Sequence, residues 1–287
     1  MKILFVHDNS IGVHYLKTVL SCIDPKEAEV TTIKLSEYPV FDDKSYDKLI
    51  YNTFPDENHK HKFRKDLIAV TDKKFLNFQG DKILFDSHDD GGKDAFMRLT
   101  DPYNFSLIKV APKKIFRAYP RVMSVPFAVN AKFMDATQPK TIPVIYCSRI
   151  DGYTHNIRKQ VADMLKQFNP FTKRLEFYDY VETLKKAAIS VVAPGWGDVC
   201  LAHYEALAAG ALLFAHESVE DYRLFGSEQL VAGKHYVSYN MENMKERLHD
   251  LLATPNKVAE IAKAGNKLFV RGYNTGKAKR KLLDFVK

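Results

Sequence analysis

Residues 189–217, ISVVAPGWGDVCLAHYEALAAGALLFAHE, constrain the fold more than any other stretch of the chain. An apolar, β-branched run ends in a turn containing Gly195 and Gly197. A segment of helix formers follows, carrying one carboxylate, Glu205. A second apolar run then opens on the small residues Gly210 and Ala211. Strand, glycine turn, helix and strand make a βαβ unit, which commits a chain to a parallel sheet covered by helices. In such sheets ligands sit beyond the carboxyl ends of the strands, where helices present their first amides.

The alternation extends along the whole chain. In the first half, residues 2–6 read as a strand buried on both faces, and Val13, Leu16, Val19, Leu20 and Ile23 fall on one side of a helix. Further strands are expected at 30–35, 82–85, 106–110 and 121–125, with polar, Lys-rich helices at 46–54 and 61–75. Residues 135–140, DATQPK, have the composition of a linker. Beyond it the spacing predicts strands at 143–147, 175–178, 189–193, 211–215 and 235–239. Helices are expected at 156–168, 181–188, 199–209, 242–253 and 257–270. Residues 275–287 form a basic amphipathic helix whose Leu282, Leu283, Phe285 and Val286 are available to pack back on the N-terminal half. The reading is α/β, with two Rossmann-like lobes, 1–137 and 138–287, facing a cleft.

Composition narrows the class. A chain of 287 residues with 46% hydrophobic and 12% aromatic content has material for two real cores, which argues against disorder. No apolar run approaches the roughly 20 residues of a membrane-spanning helix. The three cysteines, Cys22, Cys147 and Cys200, are far apart and lack CxxC spacing, so neither a disulfide framework nor a thiolate zinc site is expected, and the chain reads as cytoplasmic. The net charge of +8 fits an anionic small substrate or a polyanionic partner.

Four features of the second half together resemble one family. The strand at 144–148 leads into Arg149. The run 186–193 leads into Gly195-Trp196-Gly197. Glu205-Ala206-Leu207-Ala208-Ala209-Gly210 precedes an apolar strand, and residues 251–255 with the helix to Gly265 close the lobe. This pattern is similar to the donor-binding lobe of GT-B glycosyltransferases, especially the exostosin-like and short bacterial or viral members. The resemblance covers 142–287. It implies a two-lobed enzyme that takes a sugar from a nucleotide diphosphate, UDP- or GDP-linked, without a required metal. In the family the glutamate at the Glu205 position accepts hydrogen bonds from the ribose hydroxyls.

The residues support that reading on their own terms. Glu205 lies mid-helix among Leu201, Leu207 and Ala208, an expensive place for a carboxylate unless hydroxyls or a cation meet it. Arg149 and Arg158 can neutralise a diphosphate with charges that never titrate. Gly195 and Gly197 permit close backbone approach. Trp196 can stack on a base or cap the turn, and Tyr178 can reach the nucleobase. The chain also departs from the family. Ser148 replaces a glycine, Gly197 stands where many members carry a first glutamate, and Ala202 stands where exostosin-like members carry arginine. Contacts to the donor sugar then fall to Asp198 or His203.

Two loops of the first half carry groups able to take a proton from an acceptor hydroxyl. One holds Asp8 and His14, the other His88 and Asp89. The second could also ligate a divalent ion. If configuration is retained, these loops only position the acceptor. The expected activity is glycosyl transfer to a hydroxyl of a glycan. Alternatives are transfer to hydroxymethylated bases in DNA, and a non-catalytic nucleotide-sugar-binding module.

Overall fold

The computed structural model describes residues 1–7, 13–52, 73–86, 106–112, 121–148, 150, 156–195, 197–225, 229–273 and 275–287. Of the candidate site residues, Asp8, His88, Asp89, Arg149 and Trp196 lie outside the described residues. The chain divides into two compact units, the second spanning Val129–Tyr273.

The first unit is built on β1 (Lys2–His7), β2 (Glu29–Lys34), β3 (Lys48–Asn52), β4 (Asp81–Asp86), β5 (Ser106–Val110) and β6 (Val122–Val125). Their order is β2-β1-β3-β4-β5-β6, with every pairing parallel. After β1 the chain moves outward to β2 and then returns to the other side as β3. That reversal puts a topological switch point at the carboxyl ends of β1 and β3, the place where open α/β sheets hold ligands. Helix α1 (His14–Ser21) follows β1 and buries Tyr15, Leu16, Val19 and Leu20.

Residues 46–54, expected to be helical, contain β3 instead. Leu49, Ile50 and Tyr51 are all buried. Three successive buried side chains cannot lie on one helix stripe, but they suit a central strand covered on both faces.

The second unit is built on β7 (Ile142–Ile145), β8 (Ala187–Val192), β9 (Leu212–His216) and β10 (Val237–Tyr239), in the order β10-β9-β8-β7 and again all parallel. Its helices are α2 (Asn156–Leu165), α3 (Phe177–Lys186), α4 (Leu201–Ala208), α5 (Met244–Ala253) and α6 (Pro255–Gly272). Val161 and Leu165 of α2, Leu248 of α5 and Ile261 of α6 close over Ile189, Val191, Leu212 and Phe214 of the sheet.

The strand expected at 175–178 is absent, and α3 begins at Phe177. Val181, Leu184 and Lys185 are its buried residues, at helical spacing, whereas Phe177 and Tyr178 are 44% and 65% exposed. The apolar character of 175–178 therefore marks an exposed helix start.

Two close approaches fix α4. Gly265 lies mid-helix in α6, where a Cβ would stand 2.4 Å from the His235 carbonyl oxygen and 2.8 Å from Leu207, so only glycine lets the helices come this near. Gly210 turns the chain from α4 into β9 at a φ of +66°. The final helix, α7 (Thr275–Val286), belongs to the first unit, where it packs on α1 and β6. It buries Leu282, Leu283 and Val286, and Lys279 pairs with Glu27 at 2.9 Å. The C-terminal helix thus joins the N-terminal unit, as its apolar face implied.

Both units bury polar groups toward the carboxyl ends of their strands. In the first, His7, Asn52, Asp86 and Lys109 are all at least 96% buried. Lys109 Nζ lies 2.9 Å from Asp86 Oδ2, and Asn52 Nδ2 donates to the Phe85 carbonyl at 3.0 Å. Breaking such a pair leaves one charge stranded in a poor solvent. The variant Lys109→Met should lose about 3 kcal/mol of unfolding free energy, and the double variant Asp86→Leu, Lys109→Met should recover most of it. Urea unfolding of the three proteins checks this; equal losses in the single and double variants would count against it.

Candidate functional site

The chemistry of the second unit gathers where β7 and β8 end and α4 begins. A cavity of about 230 Å³ is lined there by Ser148 after β7, Ser190 and Val192 of β8, Arg158 of α2, Tyr180 of α3, Cys200 just before α4, and Ala202 and Glu205 of α4. A second cavity of about 520 Å³ shares Cys147, Ser148 and Tyr180 with it and continues past Tyr146, Arg174 and Phe177. The two make one polar-to-apolar recess over the carboxyl edge of the sheet.

Glu205 is 7% exposed, and its carboxyl Oε2 accepts a hydrogen bond from Tyr180 Oη at 2.9 Å. Burial pushes the Glu205 carboxyl up to about 7, against the opposing pull of that hydrogen bond. Tyr180 is raised well above the usual phenol range, by burial first and by the neighbouring carboxylate second. The helix around Glu205 buries His203, Tyr204, Ala206, Leu207 and Ala208, so the carboxyl group has been carried inward with its neighbours on both sides.

Arg158 enters from the opposite side. Its Nε donates to the Pro194 carbonyl at 2.9 Å, and its backbone carbonyl accepts from Tyr146 Oη at 2.9 Å. A Cβ on Gly195 would lie 2.2 Å from the guanidinium. The space that this glycine leaves is therefore filled by Arg158. Gly197 is buried, and its carbonyl accepts from the Gly195 amide at 2.9 Å, which closes the turn.

His203, expected to touch the donor sugar, is 1% exposed and does not line either cavity. Its Nδ1 accepts the Cys200 amide at 3.1 Å, the reach-back of a capping box made by histidine in place of glutamate. Desolvation pushes it down to about 4, so it is neutral at ordinary pH. Asp198 is partly buried and accepts from Tyr222 Oη at 2.8 Å. Tyr178 is exposed, with Lys132 Nζ 4.0 Å from its ring centroid. In the first unit, His14 opens α1 and is exposed.

Tyr180, Cys147, Cys200 and Ser190 were not anticipated as site residues. No local motif marks them. Tyr180 lies 25 residues from its partner, and only the sheet order brings α3 beside α4. Cys200 alone carried a signal, since it stands at the N-cap position before an apolar helix. None of the three cysteines is in a disulfide. Among the described residues no group of three or more His, Cys, Asp or Glu side chains is placed to hold a metal ion. No described helix is long and apolar enough to cross a membrane.

A buried carboxylate, a fixed guanidinium and the start of a helix around one recess suit a ligand bearing hydroxyls beside an anionic group. Residues 144–284 match the profile of a family described as Glycosyl transferase-like. That segment is glycosyl transferase-like, and Arg158, Tyr180 and Glu205 all fall inside it. No curated protein is similar enough to match the chain. Solved structures match over nearly the whole length at low identity. Anabaena HepE in complex with UDP is 10% identical, covers 99% of each chain and has a TM-score of 0.65. An alpha-glucosyltransferase in complex with UDP and a 13-mer DNA containing a HMU base is 11% identical, covering 100% of this chain and 99% of that one, with a TM-score of 0.66. The sucrose-phosphate synthase of Thermosynechococcus elongatus is 12% identical, covering 98% and 97%, with a TM-score of 0.59. The fold is that of the GT-B glycosyltransferases, two groups of parallel strands with their helices, as the sequence resemblance implied.

Burying Glu205 costs stability wherever the unfolded chain would ionise it. Its folded value, about 7, lies above the ordinary 4.5, so stability is full below pH 4.5 and falls as pH rises through 7. The isosteric Glu205→Gln removes that fall. The variant should match wild type near pH 4 and exceed it near pH 8 by about 3 kcal/mol, read by chemical unfolding at both pH values. A constant difference across the range would contradict the buried, proton-holding carboxyl.

Proposed function

We propose that the chain is a glycosyltransferase that moves a sugar from a nucleotide diphosphate donor, UDP- or GDP-linked, to a hydroxyl acceptor. The observation that carries the reading is Glu205, a carboxyl group buried beside a recess at the carboxyl edge of the second sheet, inside the family-matched segment. A carboxylate there is costly alone and favourable once vicinal hydroxyls donate to it. The ribose supplies such hydroxyls. The larger recess beyond Tyr146 and Phe177 takes the base. Arg158 and the first amides of α4 face the diphosphate, with Arg149 as a further candidate. Asp198 and His203 remain the candidates nearest the sugar by sequence, Asp198 the better placed because His203 is committed to capping α4.

In the reaction the acceptor oxygen bonds to the anomeric carbon as the bond from that carbon to the diphosphate breaks, and the diphosphate leaves with the electron pair. Positive groups fixed where that charge develops supply the main stabilisation. The acceptor proton passes to a base of the first unit, for which Asp89, His88, Asp8 and His14 are the candidates, or onto the departing phosphate. Relatives in fold support the donor assignment, since HepE is known in complex with UDP and glucose.

A glycan hydroxyl is the first acceptor reading. A nucleic-acid acceptor is the second, favoured by the net charge of +8 and by the fold relative solved with DNA. Binding to such an acceptor would weaken steeply with added salt through counterion release, whereas binding to a neutral glycan would not.

A thermal-shift series with UDP, GDP, ADP, CMP and their common sugars tests the donor assignment, because a ligand that binds only the folded state raises the melting temperature. One diphosphate nucleoside should stabilise the protein, and Glu205→Ala should abolish the shift and cut transfer or donor hydrolysis at least about 100-fold. The variant Gly195→Ala should displace the Arg158 guanidinium, raising the donor KM about tenfold while the melting temperature of the free protein barely moves. Unchanged donor kinetics in both variants would refute this placement of the donor.

A further inference from the structure

Tyr180 does more than border the recess. Its ring is held edge-on by Phe133, at 5.7 Å between centroids, and Phe133 is itself fully buried. The phenol is thereby fixed with its hydroxyl 2.9 Å from Glu205 Oε2. A carboxylate offers about four acceptor positions on its two oxygens. Tyr180 fills one on Oε2, which leaves Oε1 and the second lone pair of Oε2 to receive two hydroxyls. Two neighbouring hydroxyls on one sugar ring can fill both at once.

We propose that Tyr180 is the positioning residue of this site: it aims the Glu205 carboxyl into the recess and holds it in the form that accepts hydrogen bonds. This rests on the reading of Glu205 as the group that grips the donor's ribose. A consequence follows for the protonation of the site. Without ligand, burial favours the protonated acid, and the Tyr180 hydrogen bond is the counterweight. Two ligand hydroxyls add to that counterweight, so capture of the diol expels a proton when the free site is protonated.

The other groups around the carboxyl leave this role to Tyr180. Arg158 of α2, Cys147 after β7 and Cys200 before α4 line the same recess, with the neutral hydroxyls of Ser148 and Ser190. His203, two residues earlier on α4, is neutral and turned to the Cys200 amide. Helix α6 and strand β9, which also pack on α4, contribute no residue to the recess lining.

The experiment compares wild type, Tyr180→Phe, Glu205→Gln and the double variant, with UDP as the probe. Carbon-13 NMR of glutamate-labelled protein follows the Glu205 carboxyl directly, its signal assigned by its loss in Glu205→Gln. In ligand-free Tyr180→Phe, which keeps the ring and its packing, the inflection should move up by about one pH unit. By calorimetry, UDP affinity should fall about tenfold at pH 7 and approach wild type near pH 9, where the carboxyl ionises without help. Tyr180→Phe should add little in the Glu205→Gln background. An unmoved inflection, or a loss of affinity that is flat from about pH 6 to pH 9, would overturn the assignment and reduce Tyr180 to packing. If UDP and the other nucleotides fail to bind wild type while the inflection moves, the donor reading falls and the positioning of Glu205 by Tyr180 stands.

Discussion

Close packing of α4 against its sheet and against α6 is the constraint on which the site of the second unit depends. Ala206, Ala208 and Ala209 are almost fully buried, and Gly265 lets α6 approach within reach of Leu207. A helix buried from His203 to Ala208 has little outward face on which to place a charge. Glu205 is on it regardless, and it lines the recess at the carboxyl edge of the strands. The cost of the buried acid and its availability to a ligand are therefore one fact. Hydroxyl groups arriving with a ligand therefore meet a carboxyl group that the fold has largely withdrawn from solvent.

The same logic recurs in the first unit with a different solution. Its central strands end in Asn52 and Asp86, and Lys109 neutralises the acid from the neighbouring strand. A paired acid is satisfied within the fold, whereas among the described residues Glu205 is met by Tyr180, a neutral donor. That contrast fits the division of labour proposed for the two units. On that proposal the polar strand ends of the first unit stabilise the edge of its sheet, while the second unit keeps an acceptor in reserve for its ligand.

Much of this was legible in the sequence because parallel sheets write plain signals. The run 189–192, the helix around Glu205 and the strand from Leu212 each fall within a few residues of where periodicity put them. Legibility failed where apolar content and period disagreed. Residues 49–51 are too short for a helix stripe to be distinguished from a central strand, and only burial on both faces decides. Phe177 and Tyr178 looked like a strand because they are aromatic, yet they open α3 and stay exposed. Glu205 could be singled out because a charge in an apolar helix is locally anomalous, and Arg158 because it stands in the first turns of the helix that follows a strand end. Tyr180 could not, since an aromatic on an amphipathic helix is ordinary and its meaning lies entirely in a partner 25 residues away. His203 misled for the opposite reason: a histidine near a ligand site suggests chemistry, and only the capping geometry at Cys200 shows that it is spent on the backbone.

The far end of α4 explains why its near end can serve an anion. Helix termini leave carbonyls unpaired at one end and amides at the other, with partial charges to match. At the carboxyl end of α4 those carbonyls are met in full: Asn266 Nδ2 donates to the Leu207 and Ala208 carbonyls at 2.8 and 3.1 Å, and Lys140 Nζ to the Ala209 carbonyl at 2.8 Å. Lys140 also bonds the Lys185 carbonyl at the end of α3, and burial draws its amine down to about 8. The negative poles of two adjacent helices are thus neutralised by one ammonium group and one amide on the side away from the recess. At the other end, the Cys200 amide is taken up by the His203 ring, which is neutral and adds no charge of its own. The dipole of α4 is therefore compensated behind, while its front lies beside Arg158, with Asp198 two residues before the cap. A diphosphate bound there would meet a field that the fold has already set before the ligand arrives.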